Sequence, residues 1–350
     1  MTIAYIIEKL SARGGMERIL CDKMNHLADH GGHDVVAVLL WHDELPVAYK
    51  LSSRVRVVRI DAPFGHPLAG FAIVWWRFRR LIRHINPDIT VYTWVAGAFL
   101  ASYSGWHGTS VFENHHTLSD MSHRRLVQRA AQRVDCVVCL SDNDAEAFRH
   151  LARRTEVISN FTTLTGTTAD MTSHRCLAIG RLVPVKDFPR MLRLWKEAAE
   201  THPGWMLDIV GDGPEHQQLA RIINDDNLQQ CVTLHPATDD VARYYANASI
   251  CLMTSRHEGM PLVLIEAQTC GMPAVAFDCT YGPREIIADA ETGFIVPYDD
   301  DHMFVSRLSQ LMDDDALRCR MGEAARQSAQ RFSQQHIMNQ WLQLFDSLLK

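Results

Sequence analysis

Two glutamates in one short segment, Glu258 and Glu266, give the sequence its strongest chemical signal. The predicted strand 250–253 leads into this segment, and Pro261 is suited to the first position of a helix, where its missing N–H costs nothing. Glu258 then precedes the helix and Glu266 lies about a turn and a half inside it, so both carboxylates can face one ligand. Two glutamates on a solvated helix face are the alternative, which fits Glu258 but not Glu266. Glu266 lies in the apolar stretch 262–267, where an unpaired charge is costly and where sugar or ribose hydroxyl groups would stabilise it.

Two cations, Arg181 and Lys186, form a second candidate site directly after the predicted strand 176–179. Cations five residues apart in a loop at the carboxyl end of a strand are suited to binding a diphosphate. The alternative is a pair of solvated surface side chains. The helix start after Glu258 adds backbone N–H groups that can point at a phosphate or sugar oxygen, in the segment Gly259, Met260, Pro261 and Leu262.

Three other loops after predicted strands carry weaker signals. Gly14 and Gly15 at a helix start would let an anion approach the backbone, although many such pairs are only tight turns. His115 and His116 are adjacent, but no further ligand spacing supports a metal site, and in an extended segment only one of the two would face a ligand. A lone histidine is more often structural. The segment 211–214 predicts a tight turn, with contact to a nucleotide base as the alternative.

The elements that must position these loops are short apolar runs, which alternate with helix-length amphipathic segments. Many of the runs lack polar alternation, as strands buried on both faces of a parallel sheet do. Strands separated by helices predict βαβ units, and the pattern occurs twice, so we expect two doubly wound α/β layers with ligands outside the carboxyl ends of the strands. The predicted strands are 3–7, 35–40, 55–60, 89–92, 111–112, 134–140 and 157–158, then 176–179, 206–210, 232–234, 250–253, 274–277 and 294–296.

An uncharged segment rich in Ser, Thr and Gly, 159–168, is typical of a linker between the two sets of strands. We therefore predict a first domain at 1–160, a linker at 161–174 and a second domain at 175–332. The final segment, 333–350, begins with Ser333 as a suitable N-cap and predicts an amphipathic helix that packs back on the first domain.

Composition excludes several classes of protein. The 350 residues are enough for two domains, and 47% hydrophobic with 22% charged residues is too apolar for a disordered chain. No apolar run reaches the ~20 residues of a membrane span, and no signal peptide is evident, so we expect a cytoplasmic protein. Nine scattered cysteines agree with that compartment. Cys136 and Cys139 form a lone C-x-x-C, which favours core thiols over a zinc or redox site.

Charge is unevenly distributed. The net charge of −6 argues against general nucleic-acid binding, but residues 1–160 contain 19 Lys and Arg against 16 Asp and Glu, whereas the rest contains 16 against 25. A basic first half and an acidic second half indicate two domains with different partners.

In combination, these motifs resemble the retaining nucleotide-sugar glycosyltransferases of family 4. The resemblance covers nearly the whole chain and is densest from 176 to 330; the segment 282–287 is similar to a bacterial surface-polysaccharide branch. It implies the GT-B fold, with two Rossmann-like domains facing across a cleft. The motifs that carry it are Gly14-Gly15-Met16-Glu17, Gly180-Arg181 with Lys186, Val210-Gly211-Asp212-Gly213-Pro214 and the pair Glu258 and Glu266.

The resemblance assigns a role to each matching residue. Arg181 and Lys186 would hold the donor diphosphate and stabilise it as it leaves, Glu258 would bind hydroxyl groups of the transferred sugar, and Glu266 would bind the ribose. The backbone near Gly259, Met260, Pro261 and Leu262 would hold the donor sugar and phosphate, and Gly15 would let its own loop approach the phosphates. His116 aligns best with the histidine of the family's cleft, and His115 is the second choice.

Two departures from the family pattern occur. His235-Pro236 replaces a frequent glycine, which puts recognition of the nucleotide base in question. Asn160-Phe161-Thr162 replaces a frequent Asn-Gly-Val at the hinge and should not affect chemistry.

The implied reaction is transfer of a hexose or N-acetylhexosamine, with retained configuration, from a nucleotide sugar to a saccharide acceptor. UDP is the expected nucleotide, and the expected acceptor is a lipid-linked saccharide of O-antigen, capsule or lipopolysaccharide synthesis; no metal or other cofactor is expected. The alternatives are a non-catalytic nucleotide-sugar-binding protein, a same-fold epimerase or phosphorylase, and a dinucleotide oxidoreductase. The missing G-x-G-x-x-G disfavours the last.

The segment 68–85 mixes aromatic and basic residues over the length of a helix. Such a helix can lie in a membrane interface, with its rings at headgroup level and its Arg side chains on anionic lipid. We therefore expect peripheral attachment to the cytoplasmic face of the inner membrane. The alternative is an ordinary helix that packs its Trp side chains on the sheet. The residues concerned are Trp75, Trp76, Arg77, Arg79, Arg80, Leu81 and Arg83.

Overall fold

The computed structural model describes residues 1–62, 67–115, 123–279 and 282–350. The chain forms two compact units, one made of Met1–Asn160 with Gln334–Lys350 and the other of Phe161–Ser333. The segment 161–174, expected as a linker, lies in the second unit. Within the described ranges, no helix combines the length and the apolar character that crossing a bilayer requires.

The first unit is built around a parallel sheet, whose described strands number seven and run in the order β3-β2-β1-β4-β5-β6-β7. The order reverses between β1 and β4, as in a doubly wound fold. The strands are β1 (Thr2–Ile7), β2 (Asp34–Trp41), β3 (Arg56–Ala62), β4 (Ile89–Thr93), β5 (Thr109–Glu113), β6 (Cys136–Cys139) and β7 (Thr155–Val157). The helices are α1 (Gly15–Asp29), α2 (Pro67–Ile85), α3 (Trp94–Tyr103), α4 (Arg124–Ala131) and α5 (Asp142–Arg149).

The second unit repeats this plan with described strands in the order β10-β9-β8-β11-β12-β13, all parallel. Here the order reverses between β8 and β11. The strands are β8 (Arg175–Ile179), β9 (Met206–Val210), β10 (Val232–His235), β11 (Ile250–Met253), β12 (Ala274–Asp278) and β13 (Gly293–Pro297). The helices are α6 (Phe188–Thr201), α7 (His216–Asp225), α8 (Ala242–Ala246), α9 (Leu262–Thr269), α10 (Pro283–Ile286), α11 (Asp301–Asp313) and α12 (Asp315–Ser328), with 3-10 turns at Pro184–Lys186 and Ala329–Phe332.

The C-terminal helix, α13 (Gln334–Leu348), belongs to the first unit. Its buried face includes Ile337, Trp341 and Phe345, at the helical spacing that the sequence predicts. Removing these side chains from water is the main force that holds such a helix in place.

The predicted strands all form, and the prediction of two doubly wound parallel layers is confirmed. Apolar runs mark these strands because helices cover both faces of a parallel sheet. In the predicted run 134–140, only Cys136–Cys139 is strand. Cys136 and Cys139 are buried within it, and burial raises the pKa of the Cys136 thiol to about 12. Both are core thiols.

Helix α2 uses several of its polar groups within the first unit. The Trp75 Nε1–H donates to the carbonyl of Tyr103 at 2.8 Å, and Arg79 donates to the carbonyl of Ser104 at 2.7 Å. Arg77 donates to the carbonyl of Ile60 at 2.5 Å. These three side chains therefore have intramolecular partners. Trp76, which is 60% accessible, Arg80 and Arg83 are exposed, four and then three residues apart along the helix.

Candidate active site in the second unit

The two loops with the strongest sequence signals follow β8 and β11, the strands on either side of the reversal in strand order. A crevice at that point is where open α/β sheets bind ligands. The loops are bonded to each other: the Arg256 N–H donates to the carbonyl of Val185 at 2.8 Å, and the Thr254 hydroxyl lies 3.1 Å from the carbonyls of Lys186 and Asp187. These bonds fix the turn that carries Lys186 against the segment that carries Glu258.

Lys186 and Glu258, predicted from separate loops, are in direct contact. The Lys186 Nζ lies 2.5 Å from Glu258 Oε1, with 22% and 11% of the two side chains accessible. The Arg181 side chain is exposed on the same loop as Lys186. Partial exposure leaves these charges accessible to a ligand, and a diphosphate is the class of anion that two neighbouring cations favour.

Asp187, at the end of the same turn, was not identified from the sequence. It has a left-handed backbone conformation, with φ 53°, and its carboxylate accepts from Arg256 Nε at 3.0 Å. This ion pair adds a further connection between the two loops. An Asp beside a Lys carries no local signal that its partner lies 69 residues away.

The loop after β9 supports the loop that carries Arg181. A Cβ added to Gly211 would lie 1.9 Å from the carbonyl oxygen of Gly180, so only glycine permits this close approach. The Leu182 N–H donates to the carbonyl of Asp212 at 2.8 Å. The segment 211–214 is thus a support for the cation loop, and its contact with a nucleotide base stays a prediction.

Helix α9 begins one residue later than the sequence suggests. Pro261 precedes the helix with an extended backbone, φ −71° and ψ 107°, and Leu262 is the first helical residue. The Leu264 N–H donates to the carbonyl of Pro261 at 3.1 Å, so among the first N–H groups of the helix those of Leu262 and Val263 can donate to a ligand. A Cβ on Gly282 would lie 2.5 Å from the Gly259 carbonyl oxygen, and Gly282 has φ 92°. The segment after β12 therefore packs directly on the approach to α9.

Glu266 is buried, as its apolar surroundings predict. Only 3% of the residue is accessible, and its Oε2 accepts a hydrogen bond from the Tyr245 hydroxyl at 2.8 Å. Burial first, and then the Glu266 charge, raise the pKa of Tyr245 well above its ordinary value, so the phenol stays a donor. Sequence reasoning missed Tyr245 because its partner lies 21 residues further along the chain.

His235 has a partner that the sequence did not suggest. Its Nε2 lies 2.7 Å from Asp208 Oδ1, and Arg175 binds the other oxygen of the same carboxylate at 2.8 Å. The Asp208 carboxylate therefore orients the ring that replaces the family's glycine.

The first unit holds the other predicted residues. Helix α1 begins at Gly15, as expected, but the Glu17 carboxylate folds over the helix start, where a Cβ on Gly14 would lie 2.4 Å from its Oε2. His115 is 8% accessible, and its Nε2 lies 2.9 Å from Glu113 Oε1. His116 lies outside the described residues. The roles of Gly15 and of the two histidines stay predictions.

Lys23 and Glu113 form a fully buried ion pair in this unit. Burial alone would raise the pKa of the Glu113 carboxyl, but the Lys23 ammonium and the His115 ring outweigh it and lower the pKa to about 2. Among the described residues, no three His, Cys, Asp or Glu side chains are grouped as a metal site requires.

Family models match both units. The model described as Glycosyltransferase Family 4 matches residues 13–165, and that of Glycosyl transferases group 1 matches residues 166–328. The second match includes Arg181, Lys186, Glu258 and Glu266. This chain belongs to the family 4, group 1 glycosyltransferases. The family that the motifs resemble is thereby confirmed, and retention of configuration stays a prediction.

Two curated relatives of this family member are named for bacterial polysaccharide synthesis. The amylovoran biosynthesis glycosyltransferase AmsD of Erwinia amylovora is 38% identical over 48% of this chain and 47% of that protein. The chain thus matches about half the length of this relative. The lipopolysaccharide core biosynthesis glycosyltransferase LpsE of Rhizobium meliloti is 26% identical over 95% of this chain and 96% of that protein.

Solved structures of low identity share the fold. Sucrose-phosphate synthase from Thermosynechococcus elongatus matches with a TM-score of 0.86 at 19% identity, covering 99% of this chain and 98% of that one. Anabaena HepE in complex with UDP-glucose matches with a TM-score of 0.78 at 17% identity, covering 99% of each chain. The fold is GT-B.

Proposed function

We propose that this family member transfers a hexose or N-acetylhexosamine from a UDP-sugar to a saccharide acceptor in bacterial surface-polysaccharide synthesis. The observation that carries the proposal is the contact of Lys186 with Glu258 at the reversal point of the second sheet, with Arg181 exposed on the same loop as Lys186. The polysaccharide-synthesis names of AmsD and LpsE support the acceptor class. The UDP-glucose in the HepE structure supports the donor class.

Lys186 and Arg181 supply the positive charge that the departing diphosphate needs. A diphosphate oxygen would replace Glu258 as the acceptor for the Lys186 ammonium, because both are anionic oxygens in reach of one flexible side chain. The Glu258 carboxylate is then available to accept hydrogen bonds from hydroxyl groups of the sugar. As the bond between sugar and phosphate loosens, negative charge grows on the diphosphate, and cations already in place lower the barrier.

The remaining contacts orient the donor. Glu266 would accept hydrogen bonds from ribose hydroxyl groups, and the backbone at Gly259, Met260 and Leu262 would hold the donor sugar and phosphate. Pro261 has no N–H to donate to the ligand. Its fixed backbone angle instead sets the direction in which α9 begins. The roles that the resemblance gives to Gly15, which lets its own loop approach the phosphates, and to His116, which aligns with the family's histidine, belong to the same proposal.

We propose retention of configuration and independence from metal ions for this reaction. The acceptor hydroxyl attacks the anomeric carbon on the face that the diphosphate leaves. A phosphate oxygen takes the hydroxyl proton, so the products are the new glycoside and protonated nucleoside diphosphate. The two cations perform the charge stabilisation for which other enzymes use a metal.

A donor panel followed by a product assay tests this function. The purified protein is heated with each nucleotide sugar, and the donor that raises its melting temperature is selected, since a ligand that binds only the folded state stabilises it. Nucleoside diphosphate is then measured with and without candidate acceptors. Release only when acceptor is present, with an α-configured product from an α-linked donor, supports a retaining transferase. Acceptor-independent turnover, or none with any acceptor, favours the epimerase or the non-catalytic alternative.

Peripheral membrane attachment is the second part of the proposal, and the exposed face of α2 supports it. Trp76, Arg80 and Arg83 are accessible there, and each Arg near an anionic surface contributes about 1 kcal/mol. We propose the cytoplasmic face of the inner membrane, where lipid-linked acceptors would be available. Flotation with anionic vesicles at low salt tests this: the double variant Arg80→Ser/Arg83→Ser should bind less, and Arg79→Ser, whose side chain has an internal partner, is the control. Absence of flotation, or flotation unchanged in the double variant, overturns the attachment.

A further inference from the structure

Two neighbouring helices of the second unit meet at a buried tyrosine. Tyr245, on the five-residue helix α8, is 0% accessible. Its hydroxyl lies 2.8 Å from Glu266 Oε2 and 3.3 Å from the carbonyl oxygen of Val263, both on α9. The phenol has a single proton to donate, and the carboxylate is both the nearer and the charged acceptor. The hydrogen bond to Glu266 is therefore the stronger of the two.

Two buried thiols also interact with the Glu266 charge. Burial raises the pKa of Cys251 and Cys270 to about 12, and the Glu266 charge adds to that effect in both. Both thiols, like the Tyr245 phenol, are neutral at physiological pH. Tyr245 differs from them because its hydroxyl is a good donor, whereas a thiol is a weak one.

We infer that Tyr245 is a positioning residue, which fixes the Glu266 carboxylate in the orientation that binds the donor ribose. This inference rests on the proposed function of Glu266. A glutamate side chain has three rotatable bonds, and a charged hydrogen bond to one of its oxygens restricts them before a ligand arrives. Prior ordering of this kind increases affinity, because binding then costs less conformational entropy.

A hydrogen bond that is only structural would affect nucleotide affinity differently from one that orients Glu266, and this difference allows a test. If Tyr245 only joins α8 to α9, its loss weakens all nucleotides equally. If it orients Glu266, its loss weakens only nucleotides whose ribose hydroxyl groups Glu266 binds. UDP and GDP, each compared with its 2′,3′-dideoxy counterpart, separate the two because the counterparts lack both hydroxyl groups.

The experiment is titration calorimetry of these four nucleotides with the full chain and with Tyr245→Phe, Glu266→Gln and the double variant. We expect Tyr245→Phe to weaken the preferred ribonucleotide by about tenfold and the dideoxy counterpart by much less, as for loss of a hydrogen bond to a charged group. We also expect the double variant to be no weaker than Glu266→Gln alone, because the two residues act through one contact. Tyr5→Phe, which removes the hydroxyl of a fully buried tyrosine in the first unit, is the matched control and should change neither affinity.

The outcomes separate this inference from the proposed function. Equal weakening of both nucleotides by Tyr245→Phe, or additive losses in the double variant, overturns the positioning role while leaving Glu266 as a ribose ligand. If the unaltered protein binds a ribonucleotide and its dideoxy counterpart equally well, or binds neither UDP nor GDP, the ribose role of Glu266 is wrong. The inference about Tyr245 then falls with it. Circular dichroism melting of each variant verifies that the fold is intact.

Discussion

Each unit contains a Lys–Glu pair close to the carboxyl ends of its strands, and the two pairs differ in burial. Lys23 and Glu113 are 0% accessible, and the Lys23 ammonium lies 4.4 Å from the centre of the Trp341 ring on α13. Lys186 and Glu258 are partly accessible. A buried pair cannot exchange its partner for a ligand without exposing a charge to an apolar interior, whereas an accessible pair can. The comparison indicates that a pair of the same two residue types is fixed in the core of the first unit and can exchange partners in the second, where we propose that it binds the donor.

Breaking the buried pair should have the largest effect. Lys23→Ala leaves the Glu113 carboxylate without its ammonium in the core, and we expect a loss of about 3–5 kcal/mol in the free energy of unfolding. The measurement is chemical denaturation, followed by circular dichroism. The double variant Lys23→Met/Glu113→Leu, which removes both charges, should recover most of the loss. A single variant as stable as the unaltered protein would mean that the pair is not buried in solution.

Breaking the accessible pair should affect catalysis and leave stability nearly unchanged. Lys186→Ala removes one of the two cations that we propose stabilise the departing diphosphate, and we expect turnover to fall by about 10²–10³. Its melting temperature should stay near that of the unaltered protein, because accessible ion pairs contribute about 1 kcal/mol or less. Steady-state kinetics with the preferred donor and acceptor is the measurement. Full activity in this variant, with every donor, would remove Lys186 from the site.

The dependence of stability on pH in the acid range tests whether the buried pair stabilises the first unit. The pKa of Glu113 falls from 4.5 to about 2 on folding, so its contribution is present above pH 4.5 and is lost as the pH falls towards 2. We expect Glu113→Gln to flatten the decline in melting temperature over this window. Glu291→Gln, at an exposed carboxylate, is the control. If the melting temperature of Glu113→Gln falls with pH as steeply as that of the unaltered protein, Lys23 does not stabilise the charged carboxyl.

Removal of metal ions should have the smallest effect. If Lys186 and Arg181 supply the positive charge at the diphosphate, activity should persist in EDTA at close to its original rate. A matched assay with added Mg²⁺ or Mn²⁺ measures any stimulation. Complete loss in EDTA, restored by either ion, would contradict the role given to the two cations.

The sequence predicts most of the sheets and the loops of the candidate site because both have local signatures. Buried parallel strands are continuous apolar runs, and a charged or glycine-rich loop after such a run is visible in a single stretch of chain. Lys186 and Glu258 could be placed near each other by that reasoning alone. Their direct contact depends on the bonds between the two loops, which no local pattern contains.

Long-range contacts are the part that the sequence does not reveal. Lys23 and Glu113 are 90 residues apart, and a lysine inside an amphipathic helix normally predicts a solvated side chain. The same limit applies to α2, where Trp75, Arg77 and Arg79 donate hydrogen bonds to carbonyl groups of the first unit that lie far away in the sequence. A helical period tells which side chains share a face, but not which backbone groups that face will meet.

The proposed function depends most on one exchange, in which Lys186 releases its internal partner, Glu258, and binds the donor diphosphate. Calorimetric titration of the nucleoside, its monophosphate and its diphosphate into the unaltered protein and Lys186→Ala tests it most directly, with uridine, UMP and UDP as the first series. The account predicts that affinity rises with each phosphate in the unaltered protein, and that Lys186→Ala loses about tenfold or more for UDP while binding uridine as before. Equal affinity of the two proteins for UDP would contradict it.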